Sequence, residues 1–379
     1  MGTSANTPAP LTEAHSLGAD ATVQNIQGLR GVAALAVLAA HIKNPVSALL
    51  PQAALPAALT TAELGSSGVD LFFVISGYII CLTAVKRHHR SLDFFLARVA
   101  RVSPLYLVAT LVALAAKVLV KTPNPISFHS IWNGVFYLPI FDAQVYTLPP
   151  VAIGWTLSFE MWFYTVFALL LMKWKPRQVV ILLPIVFAVG AVLGLFYDGS
   201  WYFPKFALNA FVLEFGLGCL VFQFQDRLSV WLSWLLLAVG LVAFFLIVPR
   251  TGYLGAHIPE LSYVTTRSWL RACYWGVPTA MIAAGFVGLE RRGKLTLPAA
   301  LIWMGGMSYS LYLSHWITIA AAPRLFRGLA WLPVWPLTFL VAAFCILVAW
   351  ATWRFIELPL TKLAQGWVKR RFHPRRAGA

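Results

Sequence analysis

The chain has 379 residues, 60% of them hydrophobic and only 11% charged, with 16 Trp and 26 Phe. A soluble domain carries about a quarter charged residues, so this composition excludes an ordinary globular protein and fits a polytopic membrane protein. The net charge of +16 does not point to nucleic acid, because the basic residues form short clusters between apolar stretches rather than one continuous surface.

Residues 1–24 are rich in Ala, Thr, Ser and Pro, without the basic and apolar regions of a signal peptide, and are expected to be a disordered tail. Apolar stretches of bilayer-crossing length then fall at 28–49, 67–85, 102–120, 153–172, 178–197, 204–224, 230–248, 268–289, 299–321 and 334–356. The expected fold is all-α: about ten transmembrane helices in one integral membrane domain over 25–360, followed by a basic cytoplasmic tail over 361–379. With both termini in the cytoplasm, 20 of the 29 Lys and Arg fall on the inner side and nine on the outer side, which is the positive-inside bias. Cys81, Cys219, Cys273 and Cys345 all lie within spans without metal-ligand spacing, and read as small buried side chains.

The first span carries Arg30 near its start and His41 eleven residues later, with only Gly, Ala, Val and Leu between them. Eleven helical steps return to nearly the same face, about 16 Å further along the axis. Arg30 is thus expected at the cytoplasmic rim and His41 past the midplane, where an unpaired charge is costly. His41 reads as a general base toward a hydroxyl, as an acyl-carrying nucleophile, or as a hydrogen-bonded core histidine. Asp70 opens the second span, placed to cap it or to face its positive end, and Ser76-Gly77 reads as a close-packing notch.

Arg98 and Arg101 stand three apart on one face at the inner end of the third span. With Arg30 they make three guanidiniums at one rim, suited to phosphate oxygens or to lipid headgroups. The outer segment 121–152 is aromatic and proline-rich, and reads as a substrate entrance or an interfacial belt. Glu160, in the fourth span, is expected near the depth of His41, where it would orient the imidazole, bind an acceptor hydroxyl, or be a hydrogen-bonded buried acid. Glu214 sits near the midplane with no assigned role. In Ser308–His315, Tyr312 shares a face with Ser308 and with His315, as acceptor contacts or polar links between helices. Arg354 and Glu357 are spaced for an ion pair at the inner end of the last span.

Taken in order, these blocks resemble acyltransferase family 3. Arg30 and His41 match its Arg-x10-His signature. Gly68–Tyr78, Phe94–Tyr106, Trp155–Tyr164 and Ser308–His315 resemble its second-helix, arginine-rich, Trp-(Ser/Thr)-Leu-x-x-Glu and Ser-Tyr-x-x-Tyr-x-x-His blocks. One departure is Ala97-Arg98, where members often have adjacent arginines. The resemblance implies an O-acetyltransferase of the bacterial inner membrane, using acyl-CoA, most often acetyl-CoA, to acylate a sugar hydroxyl of a glycan or lipid-linked sugar, with no metal. It assigns His41 and Glu160 to catalysis, Arg30, Arg98 and Arg101 to the donor, and Asp70, Tyr309 and His315 to the acceptor. The chain is expected to resemble the stand-alone membrane members, finishing the transfer itself or handing the acyl group to a polysaccharide-biosynthesis partner protein. On residue physics alone, ten helices with intramembrane acids suit a transporter or flippase for a lipid-linked sugar equally well, although no inverted repeat is evident.

Overall fold

The computed structural model describes residues 23–87, 90–119, 126–143, 146–247 and 266–372. The tail expected over 1–24 lies outside these residues except for Val23 and Gln24. Secondary structure among the described residues is all helical, the form in which an apolar segment satisfies its own backbone without water. In chain order the α-helices of eight or more residues are α1 (Gln24–Leu49), α2 (Gly68–Arg87), α3 (Ser91–Leu119), α4 (Phe128–Phe136), α5 (Trp155–Leu171), α6 (Pro176–Gly194), α7 (Val212–Phe224), α8 (Val230–Val242), α9 (Val277–Arg291), α10 (Ala299–Gly306), α11 (Ser308–Leu325), α12 (Val334–Thr352) and α13 (Leu358–Phe372). Eight helical stretches among the described residues, built on α1, α2, α3, α5, α6, α7, α9 and α12, are long and apolar enough to cross a membrane.

The two remaining expected spans take other forms. The stretch at 230–248 is a shorter apolar helix, Val230–Leu246, whose end widens into a π-turn over Ala243–Ile247. The stretch at 299–321 is broken at Met307 into α10 and α11. Gly305-Gly306 ends α10, where glycine weakens a helix, and the first of the pair is fixed by packing. A Cβ on Gly305 would lie 1.8 Å from the Gln27 carbonyl oxygen of α1, and one on Gly31 would lie 2.4 Å from the Leu301 carbonyl oxygen. Only glycine lets these backbones come so close.

Helix α1 is the centre of the bundle and touches α2, α9, α10, α11 and α12. Its first turn has no side-chain cap of its own. The Glu290 carboxylate of α9 accepts from the backbone N–H groups of Gln24 (2.6 Å) and Asn25 (2.7 Å), so a carboxylate meets the positive end of the helix. Helices α2 and α7 also meet through glycines: a Cβ on Gly77 would lie 2.1 Å from the Phe215 carbonyl oxygen, and one on Gly218 2.0 Å from that of Val74. The notch expected at Ser76-Gly77 is thus a packing site at Gly77. Beside it, Phe73 and Phe163 stack on Phe215 at centroid distances of 4.5 and 4.6 Å, favourable aromatic geometry in a core without water.

Two sequence boundaries and one burial expectation change. Helix α3 starts at Ser91, eleven residues before the expected span, so Arg98 and Arg101 lie within the helix rather than at its mouth. The helix runs on through Pro104 into the apolar stretch, and long arginine stems let charged heads reach a polar edge. Residues 361–372 of the basic tail continue the helical path as α13, which packs along α3. Cys273 is exposed while Cys81, Cys219 and Cys345 are buried, because Cys273 lies on the outward side of a π-turn, Ala272–Gly276.

The aromatic, proline-rich segment is folded where it is described, over 126–143 and 146–152. Ser127 caps α4 by accepting from the Ser130 N–H, and Asp142 ties the loop by accepting from Asn133 Nδ2 (3.0 Å) and the Thr147 N–H (2.7 Å). Phe128, Phe136 and Phe141 remain exposed along its outer edge. Glycine packing of this kind has a measurable signature. Gly218→Ala is expected to destabilise the protein by about 1–3 kcal/mol through overpacking. Gly366→Ala, where nothing lies within 4 Å, is expected to stabilise α13 by up to about 1 kcal/mol. Thermal unfolding of the two variants in detergent should show shifts of opposite sign.

Candidate active site

The small-residue face of α1 ends at His41, and α11 brings a second histidine to it. The rings of His41 and His315 lie 5.3 Å apart, centroid to centroid, and Trp316 meets His41 edge-on at 5.8 Å. Each imidazole is fixed by its own helix: His41 Nδ1 donates to the Val37 carbonyl oxygen (2.8 Å) and His315 Nδ1 to that of Leu311 (3.1 Å). A carbonyl can only accept, so Nδ1 carries the proton in both rings and Nε2 keeps its lone pair. His315 is 1% exposed and its Nε2 has no partner among the described residues, which leaves a buried acceptor suited to a hydroxyl donor. His41 is half-buried.

Near the start of α1, Arg30 shares an electrostatic neighbourhood with Arg101, Glu357, Glu160 and Tyr164. Arg98, on the same face as Arg101, donates from Nη2 to Thr83 Oγ1 (2.9 Å) and lies over the Phe94 ring. Of the three arginines expected at one rim, Arg30 and Arg101 are therefore grouped with two carboxylates, and Arg98 is linked to them only through the field at Tyr164. Glu160 accepts from Ser76 Oγ (2.9 Å) and from the Tyr164 hydroxyl. The structure brings Glu160 toward Arg30, and no contact joins it to His41 among the described residues; His315 occupies the place beside the imidazole. Four and eleven residues are both close to whole helical turns, so the sequence could not tell a partner at one level of the bundle from one at another.

The expected Arg354–Glu357 pair does not form. Trp353–Glu357 is a π-turn, whose wider winding undoes the ordinary three-residue spacing. Arg354 is exposed, while Glu357 accepts from Ser310 Oγ at 2.6 Å. Between the two ends of the site, Tyr309 donates to the Val102 carbonyl oxygen (2.7 Å), and the Tyr312 hydroxyl lies 2.9 Å from Thr156 Oγ1 with its ring 5.9 Å from that of His315. Gly31 beside Gly305, and His41 beside His315, show that α1 runs parallel to α10 and α11. A polar seam along α11 thus joins the arginine group to the histidine pair.

With this arrangement in view, comparison with known proteins is decisive. The acyltransferase-domain model of acyltransferase family 3 matches residues 23–354. This chain belongs to acyltransferase family 3. The acyltransferase is 30% identical over 310 residues to the exopolysaccharide production protein ExoZ of Rhizobium meliloti (strain 1021), covering 79% of this chain and 90% of that protein. It is 26% identical over 333 residues to the acyltransferase MdmB of Streptomyces mycarofaciens, covering 80% and 81%. It is 25% identical over 346 residues to the O-acetyltransferase OatA of Staphylococcus aureus (strain NCTC 8325 / PS 47), covering 83% of this chain but 55% of OatA. No solved structure matches. Family and apolar helices together make this a multi-pass membrane enzyme.

The acyltransferase also buries an arginine within the stretch expected at 268–289. Arg271 donates to Asp70 through Nε (3.0 Å) and Nη2 (2.9 Å), and through Nη2 to the Ser66 carbonyl oxygen (3.3 Å). Its guanidinium lies over the rings of Trp275 (4.5 Å) and Phe211 (5.3 Å). Asp70, in the first turn of α2, is fully buried and reaches across the bundle for this pair. Glu214, also fully buried, faces both members from α7. The available signal was an arginine flanked by tryptophans, a residue that needs a partner if buried. Removing one partner of a buried ion pair leaves an uncompensated charge, so Asp70→Ala is expected to cost about 3–5 kcal/mol. Asp70→Leu combined with Arg271→Met should recover much of that loss in thermal unfolding, whereas a worse double variant would mean the pair is not a self-contained unit.

Proposed function

We propose that this acyltransferase moves an acetyl group from acyl-CoA at the cytoplasmic face of the bacterial inner membrane to a sugar hydroxyl of a polysaccharide or glycolipid on the far side. The observation that carries this reading is the parallel pairing of α1 with α10 and α11, which sets the arginine group and the histidine pair about 16 Å apart along one polar seam. The names of two relatives, an exopolysaccharide production protein and an O-acetyltransferase, favour an acetyl donor and a glycan acceptor. The reading includes ten crossings, with α10 and α11 as one broken crossing, and both termini in the cytoplasm.

In this mechanism Arg30, Arg98 and Arg101 hold the donor phosphates, since guanidinium forks match phosphate oxygens. The thioester arm extends along the seam past Glu160, whose carboxylate fixes Ser76 and Tyr164. His41 Nε2 removes the acceptor hydroxyl proton as the oxygen attacks the thioester carbonyl. The carbon–sulfur bond then breaks, and the proton returns to the CoA thiol. His315 Nε2 receives a second hydrogen bond from the acceptor and keeps it beside His41, and Tyr309 and Asp70 hold the helices that frame the acceptor side.

His41→Ala is expected to lower acetyl transfer by roughly 100- to 10,000-fold while leaving coenzyme A binding intact. Arg101→Gln should chiefly raise the KM for acetyl-CoA. The measurement is transfer of labelled acetyl groups from acetyl-CoA to a polysaccharide fraction by purified protein. Full activity of a folded His41→Ala protein would remove the catalytic role, and sugar movement without covalent label would favour a flippase. A reporter fused after residue 372 tests orientation: cytoplasmic activity is expected, and activity outside the cytoplasm would reverse the direction of transfer.

A further inference from the structure

The break at Met307 gives α11 a free amino end inside the bundle, with Ser308, Tyr309 and Ser310 in its first turn. The unbonded N–H groups of a helix start favour an anion. Here the anion is internal. The Glu357 carboxylate accepts from Ser310 Oγ at 2.6 Å and faces the Ser310 backbone N–H, within electrostatic range of Arg101 and Arg30. No hydrogen bond joins it to either guanidinium among the described residues, so both forks retain donors for a second anion. Ser308, fully buried at the same helix start, has an Oγ with no partner among the described residues.

We propose that the amino end of α11, with Arg30 and Arg101, is a built phosphate-binding site that Glu357 holds when no donor is bound, and that this carboxylate sets donor affinity by competing with a donor phosphate. The proposal rests on the donor-side reading given above and adds a residue that weakens donor binding. Such a residue has a function in turnover: it returns to the site as coenzyme A leaves, and keeps the arginines from trapping the product. Glu357 is a positioning residue here, acting on substrate through the arginines and the helix start.

The test is titration of coenzyme A and of inorganic pyrophosphate into the full-length protein in neutral detergent, with and without added phosphatidylglycerol. Glu357→Gln keeps an acceptor for Ser310 and removes the charge. It is expected to bind both probes about tenfold tighter, with a lower KM for acetyl-CoA and a lower kcat because product is held. Ser310→Ala, which releases the carboxylate without changing charge, should shift affinity in the same direction by a smaller factor, and it decides the matter if Glu357→Gln does not fold. A purely structural role for Glu357 cannot produce a gain in affinity. Unchanged or weaker coenzyme A and pyrophosphate binding in a variant that melts like the parent overturns the proposal. So does a gain confined to phosphatidylglycerol, which would make this a lipid-headgroup site. If Arg101→Gln leaves coenzyme A binding unaltered, the donor-side reading fails instead, and pyrophosphate affinity of Glu357→Gln still decides whether the anion site exists.

Discussion

The contact on which the rest depends is the glycine-lined approach of α1 to α10. Gly31 and Gly305 let two backbones meet where any Cβ would collide with a carbonyl oxygen, and without that approach the α11 polar residues would not reach α1. In a bundle surrounded by lipid, apolar surface alone gives little reason for helices to choose one another, so close backbone packing and buried polar contacts select the neighbours. Here the two act together. Glycines set the distance, and His41 with His315, Tyr312 with Thr156, and Ser310 with Glu357 are then brought into register.

A second constraint is that every polar group inside such a bundle needs a partner. The protein meets it for most such groups with links between distant parts of the chain, leaving His315 Nε2 and Ser308 Oγ among the buried groups without a partner among the described residues. Asp70 is answered by Arg271 from 201 residues away, and the start of α1 is capped by Glu290 from 266 residues away. These links are also what give the site its chemistry. Each histidine's Nδ1 is tied to the helix backbone, so Nε2 faces the space between helices. Each carboxylate near the arginines is tied to a serine, so neither collapses fully onto a guanidinium. The result is a positive end and a basic end on one seam, which is the separation the proposed transfer requires.

Membrane character and most helix positions were legible because they depend on local runs of apolar residues long enough to cross a bilayer. The nearness of Arg30 to Arg101 was foreseeable from their common depth, and so was the polar face of α11 from the spacing of Ser308, Tyr312 and His315. Three features were hidden. The partner of Asp70 required knowing that α2 lies beside the turn of chain containing Arg271. The separation of Glu160 from His41 required the vertical offset between α5 and α1, which no spacing within one helix encodes. The direction of Glu357 required the π-turn at Trp353–Glu357, a local irregularity that breaks the rule from which an Arg354 pair was inferred.

By itself, then, the sequence determined a helical membrane protein with Arg30 and His41 on one face of its first helix, because hydropathy and helical period are local properties of the chain. Only the tertiary structure decided which groups those two residues meet. Partner choice is set by how glycine contacts, a broken helix and buried ion pairs stack the helices in depth, and depth is a relation between segments that no single segment contains.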